Sequence, residues 1–191
     1  MTKPTIQQAK DAVNTLLKYL GEDTEREGLK NTPARVVKSY KELFSGYNAD
    51  IRAILDKKFY EIRDYDNIII LKAISFTSMC EHHMLPFSGK VDIAYLPNGS
   101  ILGISKLARL VDAFSKRLQI QERMTTDIAK SLDKYLKPKG VAIRICANHS
   151  CMTFRGAMKE ESYLESTHFI GEFKNDTEMR NQFWQMINNS P

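Results

Sequence analysis

The fold class is indicated by residues 67–96, which read NIIILKAISFTSMCEHHMLPFSGKVDIAYL. Apolar β-forming residues fill the first part of this stretch and lead into residues 80–83, CEHH. From Val91 to Leu96, a large apolar side chain occupies every second position, which is the two-residue period of a strand. The stretch therefore predicts two consecutive strands whose connecting turn carries a thiol, a carboxylate and two imidazoles.

The residues that follow predict two helices and two further strands. Apolar residues recur at helical spacing over 107–118 and again over 124–136, and Ser105 is expected to cap the first of these helices. Residues 141–146 alternate as in a third strand, and a fourth strand is expected within residues 152–173. The order strand, strand, helix, helix, strand, strand predicts an α+β fold.

Helices are also predicted at both ends of the chain. Thr5 and Gln8 resemble a capping box before a helical stripe that ends at Leu20, and Pro33 is placed to open a second helix. A last amphipathic helix is expected after residue 175. We therefore expect an N-terminal helical region over residues 1–65, and one structural unit over residues 66–191 that contains the sheet and the C-terminal helix.

Two pairs of residues have the spacing of zinc ligands. Cys80 and His83 form C-x-x-H in the turn after the first strand, and zinc prefers thiolate with imidazole. His149 and Cys151 follow the third strand two residues apart, and residues at that spacing on a strand point to the same face. If the two strands lie close in space, the pairs form one metal site.

Such a site is either a closed structural zinc site with a histidine as fourth ligand, or an open catalytic one. Structural fingers usually close short loops, whereas a long β-α-α-β segment separates these two pairs. The sequence therefore favours three protein ligands, Cys80, His83 and Cys151, and a position open to water. His82 and His149 then remain as candidates for proton transfer.

Basic residues accompany this candidate site. Lys106 and Arg109 lie on one face of a predicted helix, and Arg155 follows Cys151 by four residues. Arg35 lies in the first turn of the second helix, where the helix dipole disfavours a cation. Alone, these charges are typical of solvated helix faces, but beside a zinc centre they favour an anionic substrate. Aromatic residues are not interleaved with them, which argues against single-stranded nucleic acid.

The composition is that of an ordinary globular chain of 191 residues, with 42% hydrophobic and 27% charged residues. These proportions argue against global disorder, collagen-like repeats and a disulfide-stapled miniprotein. The 28 basic and 23 acidic side chains leave a formal net charge of +5, which suits an anionic partner. Three cysteines and the lack of a long apolar run predict a cytoplasmic protein, with Cys146 as a thiol buried in the core.

Two segments resemble the core of the GTP cyclohydrolase I family. They are residues 80–125, CEHHMLPFSGKVDIAYLPNGSILGISKLARLVDAFSKRLQIQERMT, and residues 147–156, ANHSCMTFRG. The resemblance implies zinc-dependent opening of the guanine imidazole ring of GTP, with release of formate and formation of 7,8-dihydroneopterin triphosphate. It also implies the tunnelling fold, with a four-stranded antiparallel sheet and two helices inserted between strand pairs. The implied assembly is a toroidal homodecamer with no nucleic-acid or membrane partner.

The resemblance also implies roles for individual residues. The implied zinc ligands are Cys80, His83 and Cys151. The implied catalytic residues are His82, His149 and Ser105. The implied substrate contacts are Glu122 and Gln121 at the guanine, and Lys106, Arg109, Arg155 and Arg35 at the triphosphate. A carboxylate suits guanine, because it can accept hydrogen bonds from both N1–H and the exocyclic amine.

Two other functions are compatible with a Cys/His zinc site. A zinc-dependent nucleobase deaminase uses similar ligands, but it requires P-C-x-x-C and H-x-E elements that this sequence lacks. A noncatalytic basic module with a structural zinc ion would bind metal without turnover.

Residues 160–173 differ from the threonine- and serine-rich stretch that the family usually carries there, so the resemblance leaves the bounds of the fourth strand open.

Overall fold

Residues 2–62 and 65–189 are described in a computed structural model. The first elements are α1 (Ile6–Tyr19), α2 (Thr32–Leu43), a 3-10 helix (Ser45–Asn48), α3 (Ile51–Leu55), β1 (Lys58–Phe59), β2 (Ile69–Cys80), β3 (Pro86–Leu96) and β4 (Ile101–Leu102). They are followed by α4 (Ile104–Ser115), β5 (Leu118–Gln119), α5 (Gln121–Leu136), β6 (Gly140–His149), α6 (Ser150–Thr153), β7 (Leu164–Gly171), α7 (Glu172–Asn175) and α8 (Thr177–Asn188). Among the described residues, no helix combines the length and the apolar character that a membrane span requires.

Contacts divide the chain into two compact units, Met1–Ser45 and Gly46–Pro191. In the first unit α1 and α2 pack against each other. α1 begins at the predicted capping box, in which the Thr5 hydroxyl accepts from the Gln8 N–H and the Gln8 side chain accepts from the Thr5 N–H. Within α1 and α2, both of which are fully described, no side chain is completely buried.

A five-stranded sheet forms the centre of the second unit. Its strand order is β5-β2-β3-β6-β7, in which the four long strands are antiparallel neighbours and the short β5 runs parallel to β2. A separate two-stranded sheet pairs β1 with β4. α4 and α5 lie in the chain between β3 and β6, so both helices are inserted between the two antiparallel strand pairs.

The main core lies between one face of this sheet and helices α4 and α5. Because side chains alternate along a strand, every second residue of β3 and β6 points into this core. The fully buried side chains there include Val91, Ile93, Ile143, Leu107, Leu110, Met124, Ile128 and Leu132. Each such side chain stabilises the fold by about 1.5–3 kcal/mol relative to an exposed one. On the opposite face, Phe173 and Phe183 pack with Ala94 and Ala142 in a second cluster.

The predicted α+β class is confirmed, and the sheet gains one short strand, β5, that the sequence pattern did not indicate. The second compact unit begins at Gly46. The reason is α3, which packs against α4 and α5 and places Leu55 in the main core with no exposed surface. The expected boundary adjoins residues 63 and 64, which lie outside the described residues.

Candidate active site

A tight turn after β2 brings the first two candidate ligands together. β2 ends at Cys80, whose N–H donates to Leu85 O over 2.8 Å, while the Met84 N–H donates to Cys80 O over 2.8 Å. Met84 has a positive φ of 53°, which reverses the chain within this short turn. His83 is thereby folded back over the end of the strand, and its Nδ1 lies 3.8 Å from the Cys80 Sγ.

Cys151 joins this pair from a different element. β6 lies beside β3 and ends at His149, and the chain then enters the short helix α6, which contains Cys151. The prediction that His149 and Cys151 share one strand face is therefore wrong, because the strand stops before Cys151. α6 still brings the thiol to the first pair, and one ligand atom from each of Cys80, His83 and Cys151 lies within 4.8 Å of the other two.

The donor set and its surroundings suit a zinc ion, which prefers thiolate and imidazole ligands. Cys80 is buried, Cys151 is half-buried and His83 is exposed, so the cluster can be reached from solvent. Burial is the main cause that raises the pKa of the Cys151 thiol, the nearby Cys80 thiol adds to it, and the Arg155 cation opposes it. A bound divalent cation would instead favour the thiolate form of both cysteines.

Cys146 lies outside this cluster, as the sequence analysis expects of a thiol without ligand spacing. Its backbone pairs with Lys90 on β3 and with Glu165 on β7. The expectation that Cys146 is buried in the core is wrong: the residue is half-buried, and among the described residues it belongs to neither apolar cluster. Strand alternation explains this, because Ile145 points into the main core and its neighbour Cys146 points to the opposite face of the sheet.

His149 is held at the end of β6 by two contacts. Its ring stacks on Phe87, its partner across the β3–β6 pairing, with centroids 4.4 Å apart and planes 4° apart. Its Nε2 lies 2.9 Å from the Gln121 Oε1. Burial lowers the pKa of His149, and the Glu122 carboxylate partly offsets that shift. Among the described residues the metal-ligand cluster does not include His149, which leaves this ring available for proton transfer.

Three further predicted residues lie in the segments that build the cluster. His82 belongs to the same turn, with 66% of its side chain exposed and its Nε2 4.0 Å from the Glu81 Oε1. Glu122 is exposed in the first turn of α5, and its charge acts on His149. Arg155 follows α6 and is also exposed. The charge of Arg155 acts on Cys151, and the charge of Glu122 acts on His149, so both charges are felt next to the metal cluster.

A cavity of about 280 Å³ opens beside His149 and Cys151. Part of its wall is formed by Ser162, Tyr163 and Leu164, which lie at and before the start of β7. Residues 160–173, in which the sequence differs from the family pattern, therefore contribute to the wall of this cavity beside the candidate site. β7 itself, the fourth long strand, lies within the range predicted from the sequence.

Gln121 is predicted to contact the substrate, but its side chain is turned into the protein. Only 1% of the residue is exposed. Its amide nitrogen bonds to Ile145 O, Leu164 O and the Ser166 hydroxyl, and its amide oxygen bonds to His149. The structure thus connects Gln121 to the candidate proton-transfer residue and leaves little of its side chain accessible to a ligand.

Ser105, Lys106 and Arg109 lie at a distance from the cluster of their own chain. From Phe87 to Leu96, β3 runs about 30 Å away from the cluster end of the sheet. α4 begins near that far end, where the Leu102 N–H donates to the hydroxyl of Tyr95. α4 then returns toward β5, which pairs with the end of β2, so Ser105 lies about 15 Å along the helix axis from Ser115.

Arg35, the remaining predicted triphosphate contact, is an exposed residue of α2 in the first unit. Ser105 also differs from its expected role as helix cap. α4 starts at Ile104, and Gly103 occupies the N-cap position with no side-chain hydrogen bond. The structure therefore gathers the predicted metal and proton-transfer residues of the second unit, and separates them from the cationic residues of α4.

Sequence reasoning missed Phe87, Glu81 and Arg123 as parts of this site. Arg123 donates to Glu81 and to Gln119, which ties the turn that carries Cys80 to the first turn of α5. No local signal marks their roles, because the Glu81–Arg123 and Phe87–His149 contacts join segments that are far apart in the chain. The fixed pairing of β3 with β6, which sets Phe87 against His149, had to be known first.

Comparisons with known proteins identify relatives along almost the whole chain. The sequence model of the family described as GTP cyclohydrolase I matches residues 9–188. The GTP cyclohydrolase 1 of Rickettsia felis is 57% identical over 183 residues, which are 96% of this chain and 96% of that protein. The GTP cyclohydrolase 1 of Rickettsia typhi is 52% identical over 187 residues, 98% of each chain. Among solved structures, the archaeosine synthase QueF-Like in the apo form is 18% identical, with a TM-score of 0.48 over 56% of this chain and 97% of its own.

Proposed function

The chain belongs to the GTP cyclohydrolase I family and is an enzyme with that activity, and we propose that Cys80, His83 and Cys151 hold a zinc ion in its active site. The observation that carries this proposal is the approach of two thiols and one imidazole nitrogen to within 4.8 Å of one another. Three such donors suit tetrahedral zinc with one position left for water or substrate. The separate hydrogen bond of His149 to Gln121 supports three protein ligands over four.

The proposed chemistry is hydrolytic removal of C8 of the guanine as formate. When bound, the zinc ion supplies Lewis-acid activation of water for attack at this carbon. His149 transfers a proton to an imidazole-ring nitrogen of the guanine so that the C8–N9 bond can break. His82 exchanges protons with solvent during the hydrolysis that follows, for which its exposed position is suitable. Ser105 serves the ribose during rearrangement to 7,8-dihydroneopterin triphosphate.

Substrate selection is assigned to charged residues around the cluster. Glu122 accepts hydrogen bonds from N1–H and the exocyclic amine of guanine, a pair of donors that adenine does not present. Its exposed position in the first turn of α5, close enough for its charge to act on His149, supports this role. The triphosphate is assigned to the cations Arg155, Lys106, Arg109 and Arg35.

We propose that a second copy of the chain completes each site, within a toroidal homodecamer built from tunnelling-fold subunits. The position of Ser105 and Lys106 supports this assembly, because α4 begins at the end of the sheet away from the metal cluster. Cationic residues that serve the triphosphate at this cluster would then come from a neighbouring subunit. The assembly is expected in the cytoplasm, without nucleic acid or membrane as partner.

Turnover of GTP by the zinc-loaded protein tests the proposal. We expect one zinc ion per chain, release of formate from GTP and formation of 7,8-dihydroneopterin triphosphate. Chelation should abolish formate release, and added zinc should restore it. A nucleobase deaminase would release ammonia without formate, and a module with structural zinc would release neither, so either result would overturn the proposed chemistry.

A further inference from the structure

The orientation of the Gln121 side-chain amide is fixed by the atoms around it. The amide nitrogen lies 3.0 Å from the backbone oxygens of both Ile145 and Leu164, and 3.0 Å from the Ser166 hydroxyl. A backbone carbonyl oxygen can only accept a hydrogen bond, so the amide group that faces two of them must be the NH₂. Turning the amide around would place three oxygen atoms in contact inside a site that is 1% exposed.

This orientation determines which nitrogen of His149 carries hydrogen. The Gln121 Oε1 lies 2.9 Å from the His149 Nε2, and an amide oxygen only accepts. The bond therefore requires hydrogen on Nε2. Since a neutral imidazole carries one N–H, its Nδ1 is then a free lone pair. Among the described residues, the His149 Nδ1 has no hydrogen-bond partner.

A second contact prevents the His149 ring from turning. The ring lies flat on Phe87, which is itself 1% exposed and packs edge-on against Phe76 with ring centroids 5.8 Å apart. Rotation of the imidazole by half a turn about its bond to Cβ would place a ring carbon where Nε2 lies, and it would break the bond to Gln121 and leave that buried amide oxygen without a donor. The stacking of His149 on Phe87 and the hydrogen bond from His149 to Gln121 together favour one orientation of the imidazole ring.

We propose that Gln121 is a positioning residue, which holds His149 with hydrogen on Nε2 and presents the Nδ1 lone pair to the substrate. The inference rests on the proposed proton-transfer role of His149. In each turnover Nδ1 accepts a proton released from water and delivers it to the imidazole-ring nitrogen of the guanine. The Nε2–H stays bonded to Gln121 throughout. Gln121 thus acts through His149, and not by touching the guanine as the family resemblance implies.

Nitrogen NMR reads the position of this hydrogen without reference to activity. Histidine labelled with ¹⁵N is incorporated into the full-length, zinc-loaded protein, and solid-state spectra are recorded at about pH 8, above the ordinary histidine pKa of about 6.5. The chain has four histidines, and His149→Ala identifies the signals of interest. We expect a protonated Nε2 and a bare Nδ1. Hydrogen on Nδ1 would overturn the inference and leave the proposed GTP chemistry standing.

The kinetics of the Gln121→Met variant test whether Gln121 affects turnover by positioning His149. Methionine keeps the length of the side chain and removes both halves of the amide. We expect kcat to fall by about 10- to 100-fold, the size of loss seen when the hydrogen-bond partner that orients a metal-binding histidine is removed. The KM for GTP and the zinc content should stay near those of the parent protein.

Thr125→Val is the matched control, because the Thr125 hydroxyl bonds to Gln121 O and pairs with the Ser166 hydroxyl in the same buried network. It should lower the Tm in a similar way with kcat near the parent value. An equal loss of kcat in Thr125→Val would overturn the inference, since disturbance of the network alone would then explain the effect.

A double-mutant cycle with His149→Ala completes the test. If Gln121 acts through His149, then Gln121→Met should have no further effect on kcat once the imidazole is absent. The same fold-change in both backgrounds would overturn the inference. If Gln121→Met does not fold, the NMR result on the parent protein still confirms or contradicts the assigned tautomer. If the parent protein shows the expected tautomer but releases no formate from GTP, it is the proposed function that fails.

Discussion

The two ends of the central sheet differ in how firmly contacts within the chain hold the side chains that are proposed to act in the site. At the end formed by Cys80 and His149, a closed turn, a ring stack and a buried amide hold the reactive groups in place. At the other end, the side chains of Ser105, Lys106 and Arg109 form no hydrogen bond or ion pair with the described residues. The groups proposed to carry out the chemistry are thus positioned by their own chain, whereas the α4 groups proposed to hold the anionic substrate have no such positioning contact among the described residues.

The largest effect is expected when the metal cluster is broken. Cys80→Ser or Cys151→Ser replaces a thiolate with a weak neutral ligand, so the protein should lose its zinc and its GTP turnover. Cys146→Ser is the control, because that thiol lies on the other face of the sheet, and it should keep both. Zinc analysis and formate release on the same preparations provide the measurement. Equal zinc content in all three variants would contradict the ligand assignment.

Glu122→Gln changes the residue that is proposed to read the base. The substitution keeps the shape but replaces one acceptor oxygen by a donor, and mispairing of this kind can reduce kcat/KM by about 10⁴-fold. Glu178→Gln is a matched control, since Glu178 is also an exposed glutamate in the first turn of a helix, α8. Initial rates at several GTP concentrations give kcat/KM. Near-parental kcat/KM in Glu122→Gln would show that another residue reads the guanine.

His149→Ala removes the ring that is proposed to transfer the proton, and formate release should fall by about 10²- to 10⁴-fold. Zinc content and GTP binding should stay unchanged, because neither the ligands nor the cations are altered. His168→Ala on β7 is the control, since His168 is half-buried in the same sheet but bonds to Thr126 and lies outside the metal cluster. Loss of zinc with a lower Tm in His149→Ala would identify a fourth ligand and contradict the open site.

Mixed assemblies test whether the two ends of the sheet meet in different subunits. Lys106→Ala and Cys151→Ser chains should each be impaired, but their equal co-expression should restore about a quarter of the sites, those in which both contributing ends are intact. A mixture of Cys80→Ser and Cys151→Ser chains should restore none, because both lesions affect the same end. Light scattering should give the mass of a large ring. A monomer with full activity would exclude shared sites.

The sequence was informative about several features that depend on neighbouring positions, although the expected Ser105 helix cap was wrong. The C-x-x-H pair, the alternation along β3 and β6 and the capping box at Thr5 are local, and the structure contains all of them. Cys151 reached the predicted cluster although it lies on a short helix and not on the strand, because either geometry keeps it close to His149.

The partners of His149 depend on distant pairings and could not be predicted. Gln121 is 28 positions away in the chain and Phe87 is 62 positions away, and each reaches the ring only through the register of β6 and the start of α5. A shift of one residue in that register would turn these side chains to the other face of the sheet.

The metal cluster is assembled from residues that come together only when the subunit folds. Cys80 and Cys151 are 71 positions apart, so in an unfolded chain their approach would require closure of a long loop, with its entropic cost. In an unfolded chain, only ligands that are neighbours in sequence, such as Cys80 and His83, could reach one zinc ion without that cost. The third ligand arrives once β2, β3 and β6 have paired. Because only the folded subunit offers all three ligands at once, a bound zinc ion would stabilise the folded state relative to the unfolded chain.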